Sequence, residues 1–326
     1  MKLRYYIMPT NDPAMNIATE KYLCERVGQG EVIMLLWRNA HTVVIGRNQN
    51  AWRECNIDAF RKDGGNLVRR LSGGGAVYHD LGNVNYTFLA QTADYDVTKQ
   101  NSVLIEAAAS FGINVERTGR NDLTVDGRKM SGNAFYSIGE KHCHHGTILV
   151  DTDFALMGKY LNTPGGKMSG KGVTSVKSRV ANLIEFADVN PDSVEKAMVT
   201  QFSAVYGCEA TEGILTEDDN REIRKMREQF INDEWTLGKI TEYNWDAETR
   251  FDWGAVQLHL TINAGVIITA HIFSDALDAD CIDASAEALI GVQFNLHAMQ
   301  NAVEGIGSYG VDIAAFMADA LKSVIL

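Results

Sequence analysis

Residues 69–80, "RRLSGGGAVYHD", set two arginines and three consecutive glycines between two segments of strand character. Glycine loses more backbone entropy on folding than any other residue and buries no side chain, so three in a row must serve a geometry that a Cβ would obstruct. Successive glycine N–H groups can converge on one concavity, where phosphate or carboxylate oxygens bind. Arg69 and Arg70 lie just upstream, and strand alternation aims only one of them at that concavity. The stretch reads either as an anion cradle or as a glycine-rich hairpin turn with surface arginines, and these residues alone leave both open.

The frame around it is a long globular chain. With 326 residues, 45% of them apolar and only four prolines, it can bury a full core and favours two domains over one. A net charge of −12 argues against broad affinity for nucleic acid or an anionic membrane and points to small molecules or proteins as partners. The N-terminus carries no apolar run of signal-peptide length, and no stretch approaches the ~18 apolar residues of a membrane span, so a cytoplasmic location is expected. Five scattered cysteines without a CxxC pair suit reduced thiols.

Periodicity predicts mixed elements. An early helix covers "MNIATEKYLCERV", and "EVIMLLWRN" and "TVVIGRN" read as a strand pair joined by a short turn. "GNLVRRL", "GAVYHD" and "NVNYTFLAQ" are further strands, "NSVLIEAAASFG" a helix ending at Gly112, and "GINVE" another strand. The Asp126-Gly127 turn and a second near Gly139 divide the next segment into a three-strand meander. Asn190 and Pro191 start a helical stretch that runs through "DDNREIRKMREQF". Beyond a linker placed within residues 233–249, a hairpin followed by helices predicts a small second domain.

Three more stretches carry candidate chemistry. In "GRNDLTVDGRKMSGNA", Lys129 stands among small residues with room for a phosphate or carboxylate beside it, and Asn121 and Asp122 offer short polar ligands. Asp122 reads as a Mg²⁺ ligand beside a nucleotide phosphate or as a turn cap. Gly165, Gly170 and Lys171 reproduce the G-x-x-x-x-G-K spacing of a P-loop, but Gly172 replaces the hydroxyl residue and no strand precedes, so the motif is rejected. A ligand-covering loop and an inert connector both remain open for it. In "KHCHHGT", alternation splits His142, Cys143, His144 and His145 between two faces and no second ligand pair appears elsewhere, which disfavours zinc. One imidazole facing a pocket and one facing solvent is expected instead.

The segments "LWRNAHTVVIGRNQNAWRECN", "RRLSGGGAVYHDLGNVNYTF", "GRNDLTVDGRKMSGNA", "HHGTILVDTD" and "TSVKSRVANL" follow the order seen in lipoate-protein ligases. The tail "RFDWGAVQLHLTINAGVIITAHIFSDAL" also resembles the accessory C-terminal domain of the longer members, so the resemblance spans the chain. It implies an α+β fold: a biotin/lipoate ligase-like catalytic domain over residues 1–240, with mixed β-sheets and flanking helices, and a small α+β accessory domain over 247–326. The Gly-Arg-Gly-rich loop of biotin ligases is absent, so lipoate is preferred to biotin as substrate.

By the same resemblance, Arg70 and the loop Gly73, Gly74, Gly75, Ala76, Val77 and Tyr78 bind the nucleotide and acyl-adenylate. Lys129 is the catalytic clamp on carboxylate and α-phosphate, Asn121 lies near the phosphate, and Asp122 holds Mg²⁺. The implied activity is ATP-dependent activation of lipoate to lipoyl-AMP, followed by transfer to a lysine of a carrier. The implied carriers are apo lipoyl domains of 2-oxoacid dehydrogenase complexes and the glycine cleavage H protein. Two alternatives are an ATP-independent lipoyl or octanoyl transferase using a thioester on Cys143, and a non-catalytic binder of lipoate or a lipoylated carrier.

Overall fold

The computed structural model describes residues 1–119, 121–162, 179–238 and 242–322. Its chain opens on strand β1 (Lys2–Ile7), helix α1 (Pro13–Cys24) and strand β2 (Glu31–Trp37). Helix α1 starts where it does because the Asp12 carboxylate accepts from the Ala14 and Met15 amides, with Pro13 in the first turn. Next come β3 (Thr42–Ile45), the short helices α2 (Ala51–Glu54) and α3 (Ile57–Lys62), and β4 (Asn66–Arg69). Then follow β5 (Val77–His79), β6 (Asn83–Gln91), α4 (Val97–Ala109), β7 (Glu116–Thr118), β8 (Asp122–Val125), β9 (Arg128–Ile138) and β10 (Lys141–Leu149). Helix α5 (Phe154–Tyr160), helix α6 (Pro191–Tyr206), strand β11 (Ala210–Glu212), helix α7 (Glu217–Ile231) and the single turn α8 (Asp233–Thr236) complete the larger unit.

Eight strands form one mixed sheet in the order β11-β1-β2-β6-β10-β9-β8-β7. Strand β2 reads as an unbroken apolar run because both its faces are covered. Val32, Met34 and Leu36 join the core that includes α4 and α6, whereas Ile33, Leu35 and Trp37 join α1 and α7 on the other side. A fully buried side chain such as Met34 or Leu35 contributes about 1.5–3 kcal/mol of hydrophobic stabilisation. The small sheet β4-β3-β5 packs its own core of Val43, Ile45, Phe60, Tyr78 and Tyr160.

The structure corrects the expected pairing of β2 with β3. Both edges of β2 are taken, by β1 in parallel and by β6 antiparallel, so β3 crosses to the small sheet, parallel to β4 and antiparallel to β5. Strand character in "GINVE" begins only at Glu116, and β1 and β11 are strands that the sequence reading did not include. Asn190 caps α6 as expected, and Gly207 ends it in the left-handed region at φ 73°.

The C-terminal unit is an antiparallel meander of β12 (Trp245–Phe251), β13 (Gly254–Asn263) and β14 (Val266–Ser274), one strand more than the hairpin expected. Helices α9 (Ala279–Leu289), α10 (Leu296–Val303) and α11 (Gly310–Lys322) follow, and Ile282, Leu289, Met299, Val303 and Ile313 pack against Val256, Leu258 and Leu260. The loop after β14 rests directly on the glycine loop: the Gly74 amide donates to the Ala276 carbonyl at 2.9 Å and the Ser274 amide to the Asn48 carbonyl at 2.9 Å. Arg47 pairs with Asp280 at 2.8 Å and with Asp283 at 2.7 Å across the same contact.

Gly73 permits this approach, because a Cβ on it would stand 2.2 Å from the Ala276 carbonyl oxygen and 2.8 Å from that of Leu277. Gly73→Ala is therefore expected to push the two segments apart at a cost of about 1–3 kcal/mol. Faster hydrogen exchange at the Gly74 amide is the readout, and unchanged protection there would count against the contact.

Candidate functional site

A cavity of about 180 Å³ opens where α1, β2, β6, β9 and β10 meet the loop between β4 and β5. Its apolar lining is Ile17, Trp37, Val44, Ala76, Val77 and Ala134, and its polar lining includes Arg70, Asn121, Lys129 and Asn133. His79, Asn85 and His145 also line it. A largely apolar pocket with a few convergent polar groups has the character of a small-molecule site.

The two arginines part as alternation requires. Arg69 turns away, its Nε donating to the Trp235 carbonyl at 2.9 Å and its Nη1 to the carbonyls of Gly46, Arg47 and Gln49. Arg70 lines the cavity, and its guanidinium holds the loop in shape: Nε donates to Ser72 Oγ at 3.0 Å, and Nη2 to the carbonyls of Gly73 at 2.6 Å and Gly75 at 2.8 Å. Burial pulls its pKa down to about 10, which leaves it charged at neutral pH. Among the described residues no carboxylate lies within ion-pair distance of this buried cation, and the Glu20 carboxylate acts on it from farther off, so an anion in the cavity would meet a positive charge without a direct partner.

The three glycines do three different things, which corrects the picture of consecutive amides in one cradle. Gly73 lies against the C-terminal unit and is not on the cavity wall, and its carbonyl is taken by Arg70. Gly74 lines the cavity but turns the chain at φ +86°, and its amide is spent on Ala276. Gly75 lines the cavity with nothing within 4 Å of a Cβ built on it. Tyr78 departs from expectation as well: it pairs with Val43 in the small sheet, and its hydroxyl meets His41 Nδ1 at 3.0 Å, away from the cavity. The reason is alternation, since Val77 and His79 take the cavity face.

Lys129 reaches the cavity through an irregularity in β9. The register with β8 shifts between Leu123 and Thr124, so that Leu123 faces Ser131 and Thr124 faces Lys129, leaving Met130 as the extra residue. Residues 129 and 132 would fall on opposite faces of a regular strand, yet Lys129 Nζ lies 2.7 Å from where a Gly132 Cβ would be. The bulge thus re-aims the ammonium. Lys129 Nζ contacts Asp122 Oδ1 at 2.7 Å, and Asn121 Nδ2 donates to the Asn133 carbonyl at 2.7 Å. Asp122 stands beside Lys129 and is not itself on the cavity wall. The P-loop-like Gly165–Lys171 stretch lies outside the described residues.

Behind the cavity runs a buried polar chain that the sequence did not single out. Glu20 Oε2 accepts from Thr87 Oγ1 at 2.6 Å and from His145 Nδ1 at 2.8 Å, and His145 Nε2 meets Ser72 Oγ at 2.6 Å. Ser72 in turn takes the Arg70 Nε bond, so the floor of the cavity and the glycine loop are one network. His145 is the pocket-facing imidazole expected from "HHGT", but His144 faces the opposite core and bonds Gln100 Oε1 at 2.8 Å, not solvent. His79, also missed, accepts the Asn39 amide on Nδ1 at 3.2 Å, and its buried Nε2 has no partner among the described residues.

Burial lowers the pKa of both His79 and His144 to about 3, so both are neutral in the fold and take up protons only on unfolding. Stability is then expected to fall as pH drops from about 6.5 toward 3, by about 2 kcal/mol per histidine at pH 5. Urea unfolding from pH 7 to 5 checks this, with a shallower slope in His144→Gln; a flat profile would contradict it.

Residues 12–203 match the family described as lipoyl protein ligase A/B catalytic domain, and residues 241–323 match the bacterial lipoate protein ligase C-terminus. The chain is 37% identical over 336 aligned positions to a lipoate-protein ligase A of Psychrobacter cryohalolentis, covering 100% of this chain and 98% of that protein. Among solved structures, P. falciparum LipL1 in complex with lipoate superposes with a TM-score of 0.82 at 27% identity over 99% of both chains. A lipoate-protein ligase A bound with ATP gives 0.66 at 27% identity, over 73% of this chain and 99% of that one. A bipartite ligase of Thermoplasma acidophilum, described with its E2 lipoyl domain, gives 0.68 at 27% identity, over 75% of this chain and 100% of that one. A glycine loop held by Arg70, a lysine re-aimed by a bulge and full-length similarity of both units converge on one conclusion: the chain belongs to the lipoate-protein ligase family.

Proposed function

We propose that this ligase joins lipoate and ATP in the cavity as lipoyl-AMP, releases pyrophosphate, and passes the lipoyl group to a lysine of a carrier lipoyl domain. The observation that carries the reading is that two cations, Arg70 and Lys129, line the same cavity as the apolar side chains of Ile17, Trp37, Val44 and Val77. Such a cavity takes a long apolar acid with its carboxylate against the charges. Neighbours solved with lipoate and with ATP support the two substrates, and the Thermoplasma ligase supports a lipoyl domain as acceptor.

Each residue has a physical task. A carboxylate and a triphosphate repel each other, and Lys129 Nζ, free to turn from Asp122 toward the reacting oxygens, offsets that repulsion where charge develops. Arg70 fixes the loop from Val44 to Gly75 and adds its buried positive charge. Gly75, Ala76 and Val77 present backbone beside the phosphate, and Asn121 braces β9 through the Asn133 carbonyl. His79 Nε2, the free nitrogen of a neutral ring bonded through Nδ1, offers a hydrogen bond to a bound ligand. Asp122 fits Mg²⁺: among the described residues its buried Oδ1 accepts no hydrogen bond and meets only the ion contact with Lys129. Bound there with ATP, Mg²⁺ would neutralise phosphate charge. The carrier amine attacks as the neutral base, and Lys129 acts as a clamp, not as a nucleophile.

A thioester on Cys143 does not suit the structure. The thiol is fully buried, is not on the cavity wall, and is held protonated by burial and by Glu20. Cys143→Ala is expected to keep lipoate activation within about twofold of the parent, because no reacting atom touches the sulfur. Loss of activation in a folded Cys143→Ala protein would revive the transferase reading.

The acceptor half of the reaction is tested by intact mass. Incubating the protein with lipoate, Mg-ATP and an apo lipoyl domain should add one lipoyl mass to the domain. An unmodified domain under conditions that release pyrophosphate would refute that step. We also read 1–240 and 247–326 as separate folding units, as the two segregated cores favour. In the described residues no helix is long and apolar enough to cross a membrane.

A further inference from the structure

We infer that Glu20, Cys143 and His145 form a latent binding site for a thiophilic divalent cation of the zinc class, buried behind the cavity wall at His145. Strand alternation carries the first step. Cys143 and His145, two apart on β10, share one face, and α1 lays Glu20 across that face. The sequence lacks a second ligand pair near "KHCHH", but the fold supplies the missing carboxylate from 125 residues upstream of His145.

The geometry is near to what a cation needs. One ligand atom from each residue lies within 4.8 Å of the others, and all three side chains are buried. Tetrahedral zinc with bonds of about 2.0–2.3 Å holds its ligand atoms about 3.3–3.8 Å apart, so sub-ångström to ångström side-chain shifts close the site. A second observation points the same way: the buried hydroxyl of Tyr136, whose ring packs edge-on against His145, has the Cys143 thiol as a side-chain hydrogen-bond partner. A carboxylate and a thiolate would balance the two positive charges, which a buried cation requires.

Binding rearranges the network that shapes the glycine loop. With Glu20 accepting from Nδ1, the His145 proton sits on Nδ1, and Nε2 accepts from Ser72 Oγ. A cation on Nδ1 moves that proton to Nε2, and Cys143 loses its own proton to solvent, so one proton is released per cation bound. The His145–Ser72 hydrogen bond then runs in the opposite sense. Ser72 becomes an acceptor from both His145 and Arg70, and its own hydroxyl proton must turn toward the Gly73 carbonyl, 3.4 Å away. The cation thereby disturbs the loop beside Arg70 and inhibits the ligase. His145 is the entry point, because it alone of the three lines the cavity.

The test uses the full-length protein carrying Cys208→Ser, which removes the half-exposed thiol that could bind metal on its own. Titration with Co²⁺ should give a thiolate-to-cobalt charge-transfer band saturating at one equivalent, with one proton released per metal. Adding Cys143→Ser should abolish the band and weaken binding at least tenfold, with the melting temperature in EDTA unchanged. No band with Cys143 present, or the same band after Cys143→Ser, overturns the site whatever the enzyme's reaction. A second arm rests on the ligase reading. Zn²⁺ should lower lipoate-dependent pyrophosphate release in the Cys208→Ser protein and leave the Cys208→Ser/Cys143→Ser protein at its metal-free rate. Equal inhibition of both overturns the proposed link between cation and loop.

Discussion

Replacing Lys129 by alanine is expected to reduce lipoate-dependent pyrophosphate release by about 10²- to 10³-fold, the loss that follows removal of one preorganised donor from a developing anion. The effect should fall on the rate of activation more than on stability. The backbone of Lys129, not its side chain, ties β9 to the following segment, through Lys129 N to the Arg179 carbonyl and Ala181 N to the Lys129 carbonyl. The side chain itself is 38% exposed, and among the described residues its ion contact is with a partly exposed aspartate. Lys129→Arg is expected to lower activation as well, because a planar fork of donors does not reproduce a compact point charge beside Asp122. Steady-state pyrophosphate assays beside thermal melts separate the two effects. A Lys129→Ala protein with parental turnover would remove the residue from the mechanism.

Gly75→Val should be nearly as damaging, by a different route. A Cβ at Gly75 meets nothing within 4 Å and its φ is not in the left-handed region, so the fold accepts the side chain. The valine then projects beside the cavity wall and displaces whatever packs against that backbone. Misplacement of reacting groups by about 1 Å is enough for a loss of 10²-fold. Gly74→Val makes a useful contrast. There φ is +86° and a Cβ would lie 3.1 Å from Arg70 Nη2, so strain of about 1–2 kcal/mol accompanies any loss of activity. Near-parental melting with activation lost in Gly75→Val, against lowered melting in Gly74→Val, would establish the division of labour within the loop. Full activity in Gly75→Val would place the substrates elsewhere.

Much of the site was legible because its residues cluster in short motifs. Arg70, Gly74, Gly75, Ala76, Val77, Asn121 and Lys129 all come to one cavity. What local reading could not supply was contact over long sequence separations. Gly73 serves a loop two hundred residues later, and Glu20 joins the network behind the cavity from a helix that the sequence marks only as a helix. Tyr78 was within reach, since alternation from Val77 already turns it away. The bulge at Met130 was not, because a strand lysine carries no local sign that its face has been switched. The separation of β2 from β3 has a similar origin: a short apolar-turn-apolar pattern cannot tell a hairpin from a chain leaving a sheet whose neighbouring positions are filled by β1 and β6.

The most direct test of the account is pyrophosphate release by the purified protein in the absence of any carrier. With Mg-ATP alone there should be almost none, and adding lipoate should bring a burst that approaches one equivalent per active site as the adenylate is retained. Release that does not depend on lipoate, or no release until an acylated carrier is supplied, would contradict the claim that Arg70 and Lys129 assemble an acid-activating site.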